Sequence, residues 1–308
     1  MLTKLLNWVD DRFPLTDTFE RHLSKYPAPI GQNIWYLAGV LLIVVLVIQL
    51  ISGIWLLMNY VPTSEGAFAS IQYIMRDVDY GWVIRYMHTT GASMFFLLIY
   101  LHMFRGLLYG SYQKPRELLW VLGWITYIIL VAEGFTGYVL PWGQMSFWAA
   151  QVILSLIGSI PVFGEELLTW IRGDYLISGI TLSRLFAFHV VLLPLALIAV
   201  VFVHIIALHE VGSNNPEGVD VKKHLDDDGV PLDSVPFFPY DVVKDLFAIG
   251  VFLILFCFIL FFFPDGGGYF IEYINYEEAN NLKTPEHIVP AWYYTPYYAM
   301  LRAITFPI

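Results

Sequence analysis

Five long segments of the chain carry no Asp, Glu, Lys or Arg, and they restrict the possible folds more than any other feature. A helix needs about 20 apolar residues to cross a bilayer, and most of these segments reach that length. Because lipid offers the backbone no hydrogen-bond partner, each segment is expected to be helical. The predicted membrane helices are residues 33–59, 80–106, 117–140, 184–209 and 243–263, with a sixth beginning near Tyr297.

The composition indicates the same class of protein. Hydrophobic residues make up 58% of the 308 residues and charged residues only 14%, whereas soluble domains carry about 25% charged residues. We therefore predict an all-α integral membrane protein, a bundle of transmembrane helices. The single cysteine, Cys257, excludes disulfides within the chain, cysteine-bound zinc and covalently attached c-type haem.

The first 30 residues are polar and lack the apolar core of a cleavable signal peptide. Leu2, Leu5, Leu6 and Val9 recur there at helical spacing, which predicts an N-terminal amphipathic helix on the membrane surface. An ordinary N-terminal arm is the alternative.

Positive charge is uneven between the two ends of the predicted helices, with ten Lys and Arg residues on the side of the N-terminus and five on the other. Cytoplasmic loops carry the excess of positive charge, so the N-terminus is predicted to be cytoplasmic. The net charge of −10 comes from acidic connections and gives no reason to expect a nucleic-acid partner. The ten Lys and Arg residues predicted on the side of the N-terminus are Lys4, Arg12, Arg21, Lys25, Arg105, Lys114, Arg116, Lys222, Lys223 and Lys244.

Two long connections, residues 141–183 and 264–296, fall on the other, outer side. Both are rich in aromatic and apolar residues, so we expect packed structures there and not flexible tethers.

Two pairs of histidines lie inside predicted membrane helices. His88 and His102 are 14 residues apart in the second helix, and His189 and His204 are 15 apart in the fourth. Such spacings place both rings of a helix on roughly one face, at depths about 21 Å apart. One histidine from each helix at each depth would make two bis-imidazole sites, which is how b-type haem is held without a covalent link. Pro194 could bend the fourth helix and absorb the extra residue.

Scattered polar residues, hydrogen-bonded within a bundle, are the alternative interpretation of these histidines. Two matching pairs in separate helices favour function, since ionisable groups inside membranes are costly. Four glycines share the same period and would leave room for a flat macrocycle. They are Gly39 and Gly53 in the first helix and Gly123 and Gly137 in the third.

With these features, the chain resembles cytochrome b of the respiratory cytochrome bc complex. The resemblance extends from the N-terminal helix to the end of the chain. Besides the histidines and glycines, its motifs are "GYVLPWGQMSFWAAQV" (137–152), "LHEVGSNNP" (208–216), "FFPYDVVKDL" (237–246) and "PAWYYTPYYAMLRA" (290–303).

The resemblance implies two non-covalent b-type haems within a four-helix core. His88 and His189 would bind the iron of a low-potential haem near the outer face. His102 and His204 would bind the iron of a high-potential haem towards the cytoplasm. The implied regions are an N-terminal arm (1–30), the di-haem core (31–210) and a C-terminal quinol-site region (211–308).

Arg85 and Arg105 lie close in sequence to two of these histidines and could pair with haem propionates. Arginines that only extend to the membrane interface are the alternative.

Quinol oxidation in the family takes place at the outer face, in a cleft near a haem. Tyr138 and Tyr298 can donate hydrogen bonds there, and Gly143 would let the backbone approach the quinol ring. The implied catalytic residues are Tyr138, Gly143, Pro290, Trp292, Tyr293 and Tyr298.

Quinone reduction in the family takes place near the cytoplasmic haem. His209, Lys244 and Asp245 match the residues that contact the quinone and supply protons. The alternative interpretation is that these three residues only cap helix ends or extend to the membrane interface.

The implied activity is a bifurcation of electrons at the quinol, coupled to proton translocation. One electron would pass to a Rieske iron–sulfur protein, whose own acceptor is a c-type cytochrome, and the other through both haems to a second quinone. The implied location is the bacterial inner membrane, in a dimeric complex.

Two departures from the family are visible. Its usual glutamate is Ala291 here, so another proton route is needed; Tyr138, Tyr298, Glu286, His287, Glu133 and ordered water are candidates. The chain also stops just inside the sixth helix, whereas long family members continue. We expect that the remaining helices are truncated or belong to a separate polypeptide.

Two other functions are compatible with the histidines. A di-haem membrane anchor of a dehydrogenase or hydrogenase would use paired histidines, but it has no need of the aromatic outer segments. A transporter or structural subunit without redox activity would use them as polar contacts between helices.

Overall fold

The computed structural model describes residues 2–217 and 223–304 of the chain. Lys222, one of the cations in the orientation argument, lies outside these described residues. The chain forms two compact units, each drawn from three parts of the sequence. The first unit comprises residues 1–42, 98–124 and 201–253, and the second comprises residues 43–97, 125–200 and 254–308.

Helices dominate the described residues, which confirms the all-α class. The α-helices are α1 (Leu2–Asp10), α2 (Leu15–Phe19), α3 (Ala38–Leu57), α4 (Ala67–Arg76), α5 (Gly81–Leu108), α6 (Glu117–Val139), α7 (Gln144–Gly158), α8 (Gly164–Arg172), α9 (Gly179–Ala187), α10 (Leu193–Val211), α11 (Val242–Phe262) and α12 (Thr295–Ala303). Short 3-10 turns form at Ile34–Tyr36, Gly266–Gly268, Tyr273–Tyr276 and Trp292–Tyr294, and π turns at Glu20–Ser24, Phe188–Leu192 and Phe237–Asp241.

Within residues 2–217 and 223–304, five helical segments are long and apolar enough to cross a membrane, which confirms the predicted spans. They are Ile34–Leu57, Gly81–Leu108, Glu117–Val139, Gly179–Val211 and Phe237–Phe262. The sixth helix that was predicted near Tyr297 is α12, which begins at Thr295.

The fourth span begins at Gly179, earlier than predicted. The Oγ of Ser178 accepts a hydrogen bond from the Ile180 N–H at 3.3 Å, and the Ser178 N–H donates to Thr181 Oγ1 at 3.1 Å. This reciprocal arrangement is a capping box, which satisfies N–H groups that the first helical turn leaves free. The cap, and not the charge of Arg184, therefore sets the start of the helix.

A π turn at Phe188–Leu192 joins α9 to α10. The N–H of Leu193 donates to the carbonyl five residues back, and such a turn accommodates one residue more than an α-helical turn. Pro194 follows directly and has no N–H for an ordinary helical bond. The extra residue between His189 and His204 is thus held by the π turn, next to the proline that was expected to absorb it.

The outer connection 141–183 is packed, as predicted. It contains α7 and α8, and α8 contacts both α7 and α9. The hydrophobic core of the second unit includes Ala67, Val139, Trp142, Phe147, Ala150, Leu154, Leu168, Ile177, Leu182 and Leu185. The connection 264–296 bonds to the same region, with the Gln144 N–H donating to the Glu277 carbonyl at 2.8 Å and the Ala279 N–H to the Trp142 carbonyl at 3.0 Å.

In the first unit, strand β1 (Pro27–Pro29) pairs antiparallel with β2 (Ser234–Pro236). The predicted N-terminal helix is present as α1, and its Leu5, Leu6 and Trp8 side chains are exposed. These side chains are available to a membrane surface, and the position of α1 on that surface stays a prediction.

Candidate functional site

His88 of α5 and His189 of the π turn face each other in the second unit. Their ring centroids are 6.2 Å apart and the ring planes are nearly perpendicular, at 85°. Because an imidazole nitrogen lies about 2 Å from a metal that it binds, two rings on opposite sides of one ion have centroids about 6 Å apart. The two histidines therefore have the separation that bis-imidazole ligation requires.

Hydrogen bonds assign the protonated nitrogen of both rings. Ser52 Oγ donates to the Ile48 carbonyl at 2.6 Å and lies 2.9 Å from His88 Nδ1, so it accepts the hydrogen on that nitrogen. His189 Nδ1 lies 3.1 Å from the backbone carbonyl oxygen of Glu133, which can only accept. Both rings thus carry hydrogen on Nδ1, and the lone pair of Nε2 remains for a metal.

A cavity of about 240 Å³ is lined by both histidines and continues to the predicted quinol site. Tyr138, Tyr293 and Glu133 also line it. The Oε1 of Glu133 lies 3.1 Å from His189 Nδ1, and Oε2 is buried with no hydrogen-bond partner among the described residues.

Arg85 also lines this cavity and is only 9% exposed. No carboxylate lies within ion-pair distance of it in the part of the chain that the structure describes. A buried cation is costly unless an anion accompanies it. The site therefore fits a ligand that carries carboxylates, as haem does, and the burial of Arg85 argues against an interfacial arginine.

Each of the four predicted glycines faces one histidine ring. An added Cβ would meet His102 Cε1 at 3.5 Å from Gly39, His88 Cε1 at 3.2 Å from Gly53 and His204 Cε1 at 3.3 Å from Gly123, and from Gly137 it would overlap His189. The spacing of these glycines predicts room for a macrocycle. In the structure they make room for the imidazoles.

His102 and His204 belong to the first unit, and their surroundings also fit a ligand. The Nδ1 of each is buried with no hydrogen-bond partner among the described residues. Arg105 lies over the Tyr36 ring at 4.7 Å and donates to Ser111 Oγ at 3.2 Å, while its Nε is buried without a partner. Buried polar atoms without partners are costly, so an anionic group bound beside Arg105 would relieve its Nε.

A metal ion held by the chain alone does not fit. Within the described residues, no group of three or more His, Cys, Asp or Glu side chains could hold one. Haem iron needs only axial ligands from the protein, since its macrocycle supplies the others. Two facing histidines beside a buried arginine therefore match haem better than a bare ion.

The predicted quinol-site residues differ in their relation to the cavity. Tyr293 stacks on Phe96 with centroids 3.9 Å apart and lines the cavity with Tyr138. Trp292 Nε1 donates to Ser93 Oγ at 3.1 Å. The predicted residues that do not line the cavity are Gly143, Pro290, Trp292 and Tyr298.

Asn275 of the connection 264–296 lies directly against Gly143. A Cβ there would overlap the backbone and side-chain oxygens of Asn275, and Gly143 forms a bridge with Glu278. The lack of a side chain at Gly143 lets the connection 264–296 pack, and its approach to a quinol ring stays a prediction. Tyr298 lies under Arg302 at 5.6 Å.

Glu272 was missed by the sequence analysis. The Tyr138 hydroxyl donates to its Oε2 at 2.8 Å. Burial raises the pKa of the Glu272 carboxyl above its usual value, and the hydrogen bond from Tyr138 opposes this rise. The available signal was a lone acid in the aromatic run "YFIEYINY", but no pattern connects it to a tyrosine 134 residues earlier.

The predicted quinone-reduction residues lie in the first unit. His209 stacks on Tyr26 with centroids 4.6 Å apart. Lys244 Nζ donates to Asp241 Oδ1 at 3.0 Å, and Asp241, which the sequence analysis did not name, is only 6% exposed. Asp245 is half-buried.

The chain is similar to known proteins over nearly its whole length. The family model described as cytochrome b/b6/petB matches residues 23–212, and the model described as cytochrome b(C-terminal)/b6/petD matches residues 278–307. Cytochrome b of Allochromatium vinosum is 56% identical over 306 residues, which cover 98% of this chain and 74% of that protein. Cytochrome b of Rhodospirillum rubrum is 48% identical over 98% of this chain and 72% of its own length.

Two further known proteins are similar to this chain. The protein described as cytochrome b/c1 of Bradyrhizobium diazoefficiens is 46% identical over 97% of this chain, which covers 42% of that protein. A chain of a solved structure, described as hyperthermophilic respiratory Complex III, has a TM-score of 0.87 and 36% identity, over 97% of this chain and 77% of that chain.

Proposed function

Because the chain belongs to the cytochrome b family, we propose that it is the di-haem subunit that oxidises quinol in a quinol:cytochrome c oxidoreductase. Its coarser role follows from the family: it is a multi-pass membrane protein of bacterial type that takes part in quinol oxidation and electron transport. The site residues, the number of haems and the partners belong to the proposal.

The observation that carries the proposal is the geometry of His88 and His189. Their ring separation of 6.2 Å suits two axial ligands of one iron. Ser52 and the Glu133 carbonyl hold the Nδ1 hydrogens, so that both Nε2 lone pairs are available. We assign the second haem to His102 and His204, whose glycine neighbours repeat the arrangement.

A bound b haem supplies a carrier for single electrons. The chain holds and orients its ligands through Ser52 and the Glu133 carbonyl, and Arg85 neutralises carboxylates inside the cavity. The buried, unpartnered Nε of Arg105 supports the same role at the second pair.

Quinol would bind in the cavity beside Tyr138 and Tyr293. Tyr293 is fixed by its stacking on Phe96, so it offers a rigid apolar wall, while the Tyr138 hydroxyl offers a hydrogen bond. Trp292, which is held by Ser93, keeps this segment in place without facing the cavity.

We assign quinone reduction to the surroundings of His209, Lys244 and Asp245 on the cytoplasmic side. Asp241 holds the Lys244 ammonium group.

The three proposed regions of the chain are the N-terminal arm (1–30), the di-haem core (31–210) and the quinol-site region (211–308).

The proposed partners are a Rieske iron–sulfur protein and a c-type cytochrome, in a dimeric complex in the inner membrane with the N-terminus in the cytoplasm. One electron of the quinol goes to the Rieske protein and the other, by way of the b haems, to a second quinone, with release of protons outside. The Complex III structure and the cytochrome b/c1 relative support this assembly.

The proposal is tested by the dithionite-reduced minus oxidised spectrum and the pyridine haemochrome of the purified complex. We expect two b haems per chain, with His88→Ala and His204→Ala each losing a different one. The surface variant His224→Ala should keep both haems, because this histidine is exposed.

A protein without haem would overturn the proposal in favour of a transporter or structural subunit. One haem that both variants lose equally would overturn the four-histidine assignment. Two haems without quinol:cytochrome c activity would favour a membrane anchor of a dehydrogenase or hydrogenase.

A further inference from the structure

The two residues directly before the cavity-lining Tyr293 carry no proton acceptor. Ala291, at the position where the family resemblance implies glutamate, is 3% exposed. A methyl group can neither accept nor pass a proton. Quinol oxidation releases two protons, so another group of this chain must receive them.

The acids and bases named from the sequence do not suit this task. Glu286 and His287 are exposed at the surface, and Tyr298 contacts Arg302 and does not line the cavity. Glu133 lines the cavity, but its carboxylate lies against His189.

Glu272 has the geometry that these groups lack. The segment that carries it contributes Phe270 and Ile271 to the cavity wall, and Tyr138 lines the same wall. The hydroxyl of Tyr138 donates to Glu272 Oε2 at 2.8 Å. A carboxylate therefore stands one hydrogen bond behind a tyrosine that lines the cavity.

We propose that Glu272, acting through Tyr138, receives one of the two protons released by quinol and so replaces the glutamate that position 291 lacks. This role rests on the proposed quinol oxidation. Glu272 is a positioning and proton-accepting residue behind Tyr138, and it does not itself contact the quinol.

The step balances in protons and electrons. The quinol O–H bond breaks and its proton binds the Tyr138 oxygen, while the Tyr138 hydrogen moves along the existing hydrogen bond to Glu272 Oε2. The electron leaves to a one-electron acceptor of the complex, either the Rieske partner or a b haem. Tyr138 is neutral before and after, and the carboxylate becomes a carboxylic acid.

The surroundings of Glu272 agree with an acceptor that works at moderate pH. Burial raises the pKa of its carboxyl, which brings it closer to the operating pH of a general base. Tyr138 faces the carboxyl from α6, and Tyr293 in turn faces Tyr138 from its 3-10 turn. The carboxylate accepts a proton only when ionised, so the oxidation rate should fall as pH decreases through this pKa.

The test uses the intact complex and measures quinol-dependent reduction of cytochrome c together with haem content. Glu272→Gln keeps the shape of the side chain but removes the basic oxygen, and we expect a loss of rate of at least about tenfold with both haems retained. Tyr138→Phe should cost as much, and the double variant no more than either single one, because both changes interrupt one path. Glu278→Gln, an exposed acid in the same connection, is the control.

The pH profile separates proton transfer from a structural effect. The decrease in rate at low pH should be present in the unchanged complex and absent in Glu272→Gln. If Glu272→Gln loses haem, Tyr138→Phe, which removes only a hydroxyl, takes its place in the comparison.

A Glu272→Gln complex with unchanged rate and pH profile would overturn the role of Glu272 and leave the proposed function intact. Losses that multiply in the double variant would also overturn it, since they would show two independent effects. If the complex without any substitution fails to oxidise quinol, the proposed function itself is overturned, and the role of Glu272 with it.

Discussion

Gly137 lies so close to His189 that a Cβ on the glycine would overlap the imidazole ring. The ring cannot move away freely, because its Nδ1 is bonded to the Glu133 carbonyl at 3.1 Å. At Gly39 the corresponding Cβ would meet His102 at 3.5 Å, which is an ordinary contact. The two glycines therefore share a sequence period but differ in the space around them.

We predict that Gly137→Ala displaces His189 and lowers the haem content of the purified protein from two to about one per chain. Gly39→Ala should keep both haems, because its new methyl group fits without movement. Pyridine haemochrome analysis of both variants measures the difference. Equal haem content in the two variants would contradict the close contact at Gly137.

Ser52→Ala removes the acceptor of the His88 Nδ1 hydrogen. Ser52 is 1% exposed, so water cannot easily take its place, and loss of such an outer partner weakens metal binding by about 10- to 100-fold. A redox titration of the b haems should show a changed midpoint potential for one haem only. Ser155→Ala, at an exposed serine outside the cavity, should leave both potentials unchanged; a shift there too would point to a general effect on the fold.

Asp241→Asn removes the carboxylate that holds Lys244. Because Asp241 is the buried member of this pair, we expect the lysine to move and the reduction of quinone on this side to slow. The rate of b-haem reoxidation by added quinone, measured with the outer site inhibited, reports this step. Asp227→Asn, at an exposed acid, should have no effect, and identical rates in the two variants would remove Lys244 from the site.

Leu154→Ala should destabilise the second unit. Leu154 is fully buried in its hydrophobic core, and removing a buried leucine costs about 2–5 kcal/mol in the free energy of unfolding. Leu176→Ala changes a side chain that is 70% exposed and should cost little. Thermal unfolding of the detergent-solubilised protein, followed by circular dichroism, measures both; similar midpoints would contradict the core assignment.

The sequence predicted the membrane helices well because their hydropathy depends on each segment alone. Two local features escaped it. The start of the fourth span depends on the cap at Ser178, which is less conspicuous than the nearby charge of Arg184. The π turn at Phe188–Leu192 depends on which carbonyl each N–H reaches, and the spacing of apolar residues does not show that choice.

The candidate site was predictable only where a period or motif marked it. The histidines and glycines share a spacing, so they could be grouped without coordinates. Ser52 and Glu272 carry no such mark. Their importance comes from contacts with distant residues, and Glu272 reaches Tyr138 across 134 positions.

The π turn also affects how this chain should be aligned with others. Positions before and after it differ by one residue from those of an uninterrupted α-helix. A relative with 14 residues between the corresponding histidines can be matched only by a one-residue gap inside a membrane helix. An alignment that moves this gap into a loop would pair His189 or His204 with a residue that has no part in the site, and a proposed haem ligand would then look like a substitution.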